Sequence, residues 1–251
     1  AVLSNQTGYE TYFCEDFTDD MEPYMEQWKE RGFVPDGIYT GFLSDEKQAD
    51  KILKFMDMFA AEDTLILTDP VMGDDGEVYP IYTEALRRRF CELVKRSCVI
   101  TPNLTEALVL LYGKEKMKTV WKEFQTITGP ERLERIEETG RKLAEEFSLS
   151  AVVITGVDQQ EEGETVKMGN LVLENGKCSW VFAEKAGGSY SGTGDIFASI
   201  LSAGLVKGYS MEACADMAVD FISASIRDAV KEGTDRNDGV CFELHLGRLV
   251  R

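Results

Sequence analysis

Gly188-Ser189-Tyr190-Ser191-Gly192-Thr193-Gly194-Asp195-Ile196-Phe197-Ala198-Ser199 is the stretch on which the reading of this chain turns. A loop of small residues, Gly192-Thr193-Gly194, runs into Asp195 and then into apolar residues at helical spacing, Ile196, Phe197, Ile200 and Leu201. Glycines let backbone N–H groups come close to an anion. The start of a helix leaves its first N–H groups unpaired and carries partial positive charge, so phosphate is favoured there. Asp195, in the first turn, is a carboxylate beside that anion site. It has the chemistry of a general base that takes a proton from a hydroxyl as the hydroxyl attacks phosphorus. The same four residues also fit a plain helix N-cap with an acidic first turn, and the tetrapeptide alone does not choose. Neither a Walker A lysine nor the third glycine of a dinucleotide fingerprint follows.

Working outward, the chain alternates strands and helices. Met21, Tyr24, Met25 and Trp28 recur at helical spacing after Asp19-Asp20, with Gly32 as a stop. Asp36–Gly41 reads as a short buried strand, and Ser44 as the N-cap of a helix carrying Ala49, Ile52, Leu53, Phe55, Met56 and Phe59. Thr64–Thr68 is an apolar strand of the doubly covered parallel kind. A helix follows near Tyr82–Lys95, then strand Cys98–Ile100 and a short helix. The charged, weakly patterned segment Tyr112–Thr128 reads as a surface insertion. Pro130 opens a helix to about Phe147 from a first-turn position. Strand Ala151–Ile154, an acidic loop over Gln159–Thr165, and a hairpin around Asn175-Gly176 come next. The Gly192–Asp195 loop and its helix run to about Gly208, Ser210 caps a helix to about Val230, and Gly239–Val250 is expected as a last strand or edge segment. This alternation predicts one α/β domain over 1–251: three layers, α/β/α, with a mostly parallel central sheet.

Composition narrows the function classes. With 251 residues and 43% hydrophobic content the chain can bury a sizeable core. No apolar run is long enough to span a bilayer. A formal net charge of −18 argues against a nucleic-acid or anionic-membrane surface. An anionic nucleotide then needs a local device, such as the helix start above, and a metal cation. Six dispersed cysteines without a C-x-x-C pair predict reduced thiols in a cytoplasmic protein. His245 is the single histidine, which leaves no room for a histidine triad or a zinc cluster and points to a structural role.

Polar motifs stand at the ends of separate strands: Asp69 with Asp74, Asn103 with Glu106, and Thr155-Gly156. In open α/β sheets ligands bind outside the carboxyl ends of the strands, so these residues and the start of the Asp195 helix should meet at one rim. Carboxylates there suit Mg²⁺, an oxygen-seeking cation often held alongside substrate phosphates.

Taken together, Asn5-Gln6-Thr7-Gly8-Tyr9, Thr40-Gly41-Phe42, Asp69-Pro70-Val71-Met72-Gly73-Asp74, Ile100–Glu106, Ile154-Thr155-Gly156 and Gly192–Asp195 resemble the ribokinase-like superfamily and, within it, the pyridoxal kinases. The resemblance implies ATP-dependent phosphorylation of the 5′-hydroxymethyl group of pyridoxal, pyridoxine or pyridoxamine. It implies Asp195 as base, with Gly192, Thr193 and Gly194 as the anion hole. Asn103, Glu106, Thr155 and Asp74 are implied on the Mg²⁺–ATP side. Asp69, Thr101, Thr155 and Glu106 form the implied metal surroundings, K⁺ being a candidate monovalent cation. Thr7 and Phe42 are implied at the pyridine ring. Many members have Tyr where Phe42 stands, and His where Gln6 stands. Homodimers are the family habit. The pattern also implies a strand–helix unit of about 30–40 residues ahead of Ala1, with a substrate-contacting serine. The nearest alternative is a hydroxymethylpyrimidine (phosphate) kinase, which shares the Asp69–Asp74 and Gly192–Asp195 blocks. A non-catalytic vitamin- or nucleotide-binding protein and a sugar kinase stand further off.

Overall fold

A computed structural model describes residues 1–159 and 165–250. In chain order the elements are β1 (Val2–Ser4), β2 (Cys14–Asp16), α1 (Met21–Glu30), β3 (Gly37–Thr40), α2 (Glu46–Phe59), β4 (Leu65–Thr68), β5 (Gly73–Asp74) and β6 (Glu77–Val78). There follow α3 (Glu84–Lys95), β7 (Val99–Ile100), α4 (Leu104–Phe124), α5 (Gly129–Phe147), β8 (Ala151–Gln159), β9 (Lys167–Glu174), β10 (Lys177–Glu184), α6 (Thr193–Val206) and α7 (Met211–Glu232). The main sheet has six strands in the order β10-β9-β8-β7-β4-β3. Strands β3, β4, β7 and β8 are parallel, and β9 and β10 continue the sheet antiparallel. This is the expected three-layer, mostly parallel α/β/α architecture.

Alternation along each strand assigns the two faces. Ile38, Ile66, Ile100, Val152, Ile154, Leu171 and Leu173 point into a core shared with α2, α3, α4 and α5. Their neighbours Leu67, Val99, Ala151, Val153 and Val172 point the other way, onto Phe197, Ala198 and Leu201 of α6 and Cys214, Ala218 and Phe221 of α7. Both faces are covered, which is why the parallel strands read as unbroken apolar runs. Strands β1 and β2 form a separate antiparallel pair. The buried Gln48 ties that pair to α2, its Nε2 donating to Thr18 Oγ1 at 2.8 Å and to the Ala1 carbonyl at 3.2 Å.

Three expectations are corrected. The segment from Tyr112 is no surface insertion: α4 carries on to Phe124, with Met117 at 0% and Phe124 at 1% exposure in the core. Gly113 interrupts the helix at φ 70°, ψ 171°. The two halves therefore follow different helical phases, and the apolar positions show no single 3.6-residue period. The N-cap of α2 is Asp45, accepting from Gln48 N, and not Ser44. The Ser44 hydroxyl is spent on Asp16 Oδ2 at 2.7 Å. The tail forms 3₁₀ turns at Arg236–Asp238 and Glu243–Leu249, not a strand. It packs by side chains on α7, through His245 Nε2 to Asp228 Oδ2 (3.0 Å) and Arg248 Nη1 to Asp220 Oδ2 (2.8 Å). Residues 160–164 of the expected acidic loop lie outside the described residues.

The correction at α4 is testable. Met117→Ala and Phe124→Ala should each cost about 2–5 kcal/mol as buried large-to-small changes, read as lower urea midpoints. Residues of a surface insertion would cost roughly 0.5 kcal/mol or less.

Candidate active site

The parallel strands end in line, and their polar extensions stay in line. Just past β4 and β7, Asp69 N donates to the Thr40 carbonyl at 2.8 Å and Thr101 N to that of Thr68 at 3.2 Å, and Thr155 N, inside β8 where its pairing with β9 is interrupted, donates to that of Pro102 at 3.0 Å. Asn103 and Thr155 form an isolated parallel bridge. Asp69, Thr101, Asn103 and Thr155 are thus set side by side along one rim by main-chain bonds. The start of α6 meets this rim: a Cβ placed on Gly194 would have Asp69 Oδ2 as its nearest neighbour, at 4.0 Å.

At that helix start Gly192 is the N-cap, with φ 82°, a left-handed conformation that costs other residues about 1–2 kcal/mol. Ile196 N donates to the Gly192 carbonyl at 3.0 Å. The Thr193 hydroxyl donates to the Tyr190 carbonyl at 3.2 Å. That hydroxyl shapes the loop, which leaves the backbone N–H groups of the first turn as the donors for an anion. Asp195 is exposed, and Tyr39 Oη donates to its Oδ1 at 3.2 Å.

Asn103 and Glu106 close a reciprocal capping box at the start of α4. Asn103 Oδ1 accepts from Glu106 N and Glu106 Oε2 from Asn103 N, each at 2.9 Å. Each side chain also reaches the neighbouring loop. Glu106 Oε1 accepts from Met72 N at 3.1 Å, and Asn103 Nδ2 donates to the Gly73 carbonyl at 2.8 Å. Both oxygens of Glu106 are therefore committed to backbone amides, and the pair clamps the segment that leads into the β5–β6 hairpin and Asp74.

The rim concentrates negative charge. Asp69 is 7% exposed, and burial, then repulsion by Asp195, pushes its carboxyl up to about 7. The nearby Thr101 hydroxyl eases this, yet its buried Oγ1 makes no well-formed hydrogen bond among the described residues. Glu106, 4% exposed, is held well above the usual carboxylate range by burial and then by Asp69, against the pull of its two amides. Burial also raises Asp74, which Arg236 partly offsets. Among the described residues no group of three or more His, Cys, Asp or Glu is placed to hold a metal ion by itself.

The ring-side candidates are less enclosed. Phe42 follows Gly41 at the end of β3 and is 45% exposed. Thr7 is exposed, in a turn bound to the C-terminal part of the chain: Tyr9 Oη donates to Asp238 Oδ1 at 2.5 Å, and Gly8 lies against Asn237. The same short segment holds the loop ahead of α6, with Ser191 N donating to the Arg236 carbonyl at 3.0 Å. Residues 235–239 thus tether the Thr7 turn to that loop. The sequence reading did not anticipate this strap, nor Tyr39. The strap has no motif. Tyr39 could have been placed on the α6 face by strand alternation.

A sheet of this topology with a glycine loop opening α6 is the ribokinase-like fold. The chain matches the model of the phosphomethylpyrimidine kinase family over residues 30–239. It is 30% identical to the pyridoxine kinase of Bacillus subtilis (strain 168) over 169 residues, 65% of this chain. That match spans 54%, about half, of the relative's length. A Bacteroides thetaiotaomicron protein assigned to the phosphomethylpyrimidine kinases superposes with a TM-score of 0.85 in its orthorhombic form with pyridoxal. The identity is 29%, covering 98% of this chain and 82% of that one. The pyridoxal kinase of Lactobacillus plantarum, 22% identical, shares the fold at a TM-score of 0.81, covering 99% and 84%. The chain belongs to the phosphomethylpyrimidine kinase family.

The buried acids set a pH signature. Asp69 and Glu106 both titrate above their ordinary range, so the native state binds more protons than the unfolded chain once the ordinary carboxylate pKa is passed. Their contribution to stability is greatest below about pH 4 and falls as pH rises through about 7. Thermal melting of the ligand-free protein from pH 5 to 8 should show this decline, and Asp69→Asn should flatten it. An unchanged slope in the variant would overturn the assignment.

Proposed function

We propose that this chain transfers the terminal phosphoryl group of ATP to the 5′-hydroxymethyl group of a B₆ vitamer: pyridoxal, pyridoxine or pyridoxamine. The observation that carries the reading is the exposed carboxylate of Asp195 in the first turn of α6, next to the loop that offers unpaired backbone N–H groups. A primary alcohol must lose its proton as its oxygen bonds to phosphorus. Asp195 takes that proton, and the N–H groups at Gly192, Thr193 and Gly194 receive the charge that builds on the phosphoryl oxygens. Such a reaction asks a protein mainly for positioning and charge stabilisation.

The remaining residues divide by side. Asp74, Thr155 and the Asn103–Glu106 clamp face the nucleotide, and Thr7 and Phe42 face the ring. The donors along the rim are all oxygens, which suits hard cations, and the orphaned Thr101 Oγ1 beside Asp69 is an apt ligand for a monovalent ion such as K⁺. Asp74 and Asp69 would hold Mg²⁺ mainly through its water shell and the nucleotide, since Glu106 is already committed. When bound, the metal supplies charge neutralisation between phosphates. The Bacillus relative named a pyridoxine kinase and the Bacteroides structure with pyridoxal support the vitamer. A cytoplasmic homodimer completes the proposal, and the six free cysteines agree with a reducing compartment.

The family model favours a second substrate, hydroxymethylpyrimidine or its phosphate. Turnover of pyridoxal against hydroxymethylpyrimidine with Mg²⁺–ATP decides between the two, and the vitamer should give the higher kcat/KM. With the preferred substrate, Asp195→Asn should lose about 10²–10⁴-fold in kcat while ATP affinity survives. Near-normal turnover would remove Asp195 as base. A Cβ at Gly194 meets no protein atom closer than 4.0 Å, so Gly194→Ala should melt normally yet weaken phosphate binding and turnover. Unaltered ATP affinity in that variant would exclude the anion-loop assignment.

A further inference from the structure

Asp195 does not stand alone at the start of α6. Tyr39 lies on β3, on the face of the sheet that packs against α6, and is half-buried there. Its ring rises beside Gly41, where an added Cβ would come within 3.2 Å of the Tyr39 hydroxyl and 3.8 Å of Asp195 Oδ1. The backbone at Gly41 thus forms one wall of a slot that holds the phenol against the carboxylate. The hydroxyl donates to Oδ1 at 3.2 Å.

From this geometry we infer that Tyr39 is a positioning residue for the phosphoryl-transfer base: its phenol pins Asp195 Oδ1, fixes the carboxylate plane and leaves Oδ2 to receive the substrate hydroxyl's proton. The inference rests on the reading of Asp195 as base given above. An unpinned aspartate turns about its side-chain bonds and spends time aimed away from the substrate, and small misplacements of a reacting group are costly. The charged groups facing the phenol are Asp69 at the end of β4 and Asp195 on α6. Burial, then Asp69 and Asp195, raises the phenol's pKa far above physiological pH. Tyr39 therefore remains a donor over the whole working range. Phe at this position keeps the ring and its packing and removes only the donor.

The test uses the full chain and four proteins: wild type, Tyr39→Phe, Asp195→Asn and the double variant. Phosphoryl transfer from Mg²⁺–ATP to pyridoxal and to hydroxymethylpyrimidine is followed, with long single-turnover runs for the slow variants. Tyr39→Phe should lower kcat about tenfold, the scale of one hydrogen bond to a charged group. The KM for ATP should stay within about twofold of wild type. In the Asp195→Asn background the same change should cost less than about twofold, because a residue acting through Asp195 has nothing left to position. Gly41→Ala, which crowds the phenol from the opposite wall, should reproduce the loss and its disappearance in the Asp195→Asn background. An equal loss in both backgrounds means a structural role and overturns the proposal, as does an unchanged kcat in Tyr39→Phe. If wild type phosphorylates neither substrate, the reading of the site itself has failed and the proposal falls with it. If wild type is active and Asp195→Asn is not, that reading stands and the Tyr39→Phe result alone decides.

Discussion

The buried carboxyl group of Glu106 is the interaction on which the site's shape depends. It accepts from Met72 N and Asn103 N, two amides that belong to different loops, and so joins the end of β4 to the start of α4. Asn103 completes the join through the Gly73 carbonyl. A helix start has unpaired N–H groups and loop backbones have unpaired polar groups, and burial makes each of them costly. Four groups that would otherwise stand open at the rim are paired by two side chains. The short β5–β6 hairpin, which has little core of its own, is thereby seated on α4. There the Gly76 amide also donates to Thr105 Oγ1 at 2.9 Å, and Trp121 packs against Gly76.

Charge is the harder constraint. The chain carries a formal −18, and the rim gathers Asp69, Asp74, Glu106 and Asp195 in one place. The two buried ones, Asp69 and Glu106, hold their protons more tightly than free carboxyls, and close-set acids of this kind recruit counter-charge. Inside the protein the counter-charge comes from fixed dipoles, the amides on Glu106 and the N-terminus of α6, and from the Arg236 guanidinium acting on Asp74. What remains is a demand for cations. A nucleotide arriving with its own Mg²⁺ would meet that demand, and without a cation its phosphates would be repelled by the same acids. The acidity of the chain and its reading as a nucleotide-using protein are thus compatible, provided that the anion is received by backbone N–H groups and not by a basic patch.

Much of this was legible in the sequence because it rests on local chemistry. Thr64–Thr68 and Ala151–Ile154 could hardly be anything but doubly covered strands, and Asn103 to Glu106 has the spacing of a capping box. The rim itself followed from placing polar motifs at strand ends. What escaped depends on distance in space. Gly113 restarts α4 in a new phase, so Met117 and Phe124 carry no readable period although both are core. The tail's 3₁₀ turns follow from side-chain pairs to α7 that no local pattern encodes. The resemblance sets Asn103 and Glu106 on the Mg²⁺–ATP side, and it does not foretell that their hydrogen bonds also brace the loop after β4. Tyr39 reads as one more strand residue until α6 is laid over it.

The pieces that surround the cleft also differ in how firmly they are held. The side proposed for the nucleotide is built on the sheet and on α4 and α6, with main-chain bonds continuing past the ends of β4 and β7. The side proposed for the ring is not: Thr7 is exposed, and its turn is fastened by Tyr9 and Gly8 to the 235–239 segment. That segment in turn holds Ser191, the residue just before Gly192, the N-cap of α6. On the proposed reading, a substrate ring settling against Thr7 would press on the strap that supports the Gly192 loop, which gives the two sides of the site a link through 235–239. On the proposed reading, such an arrangement places the adaptable contacts where substrates differ and the rigid ones where every phosphoryl transfer is alike. The ring accepted could then be changed by altering the loosely held side, without disturbing Asp195, the strand ends or the clamp at Glu106.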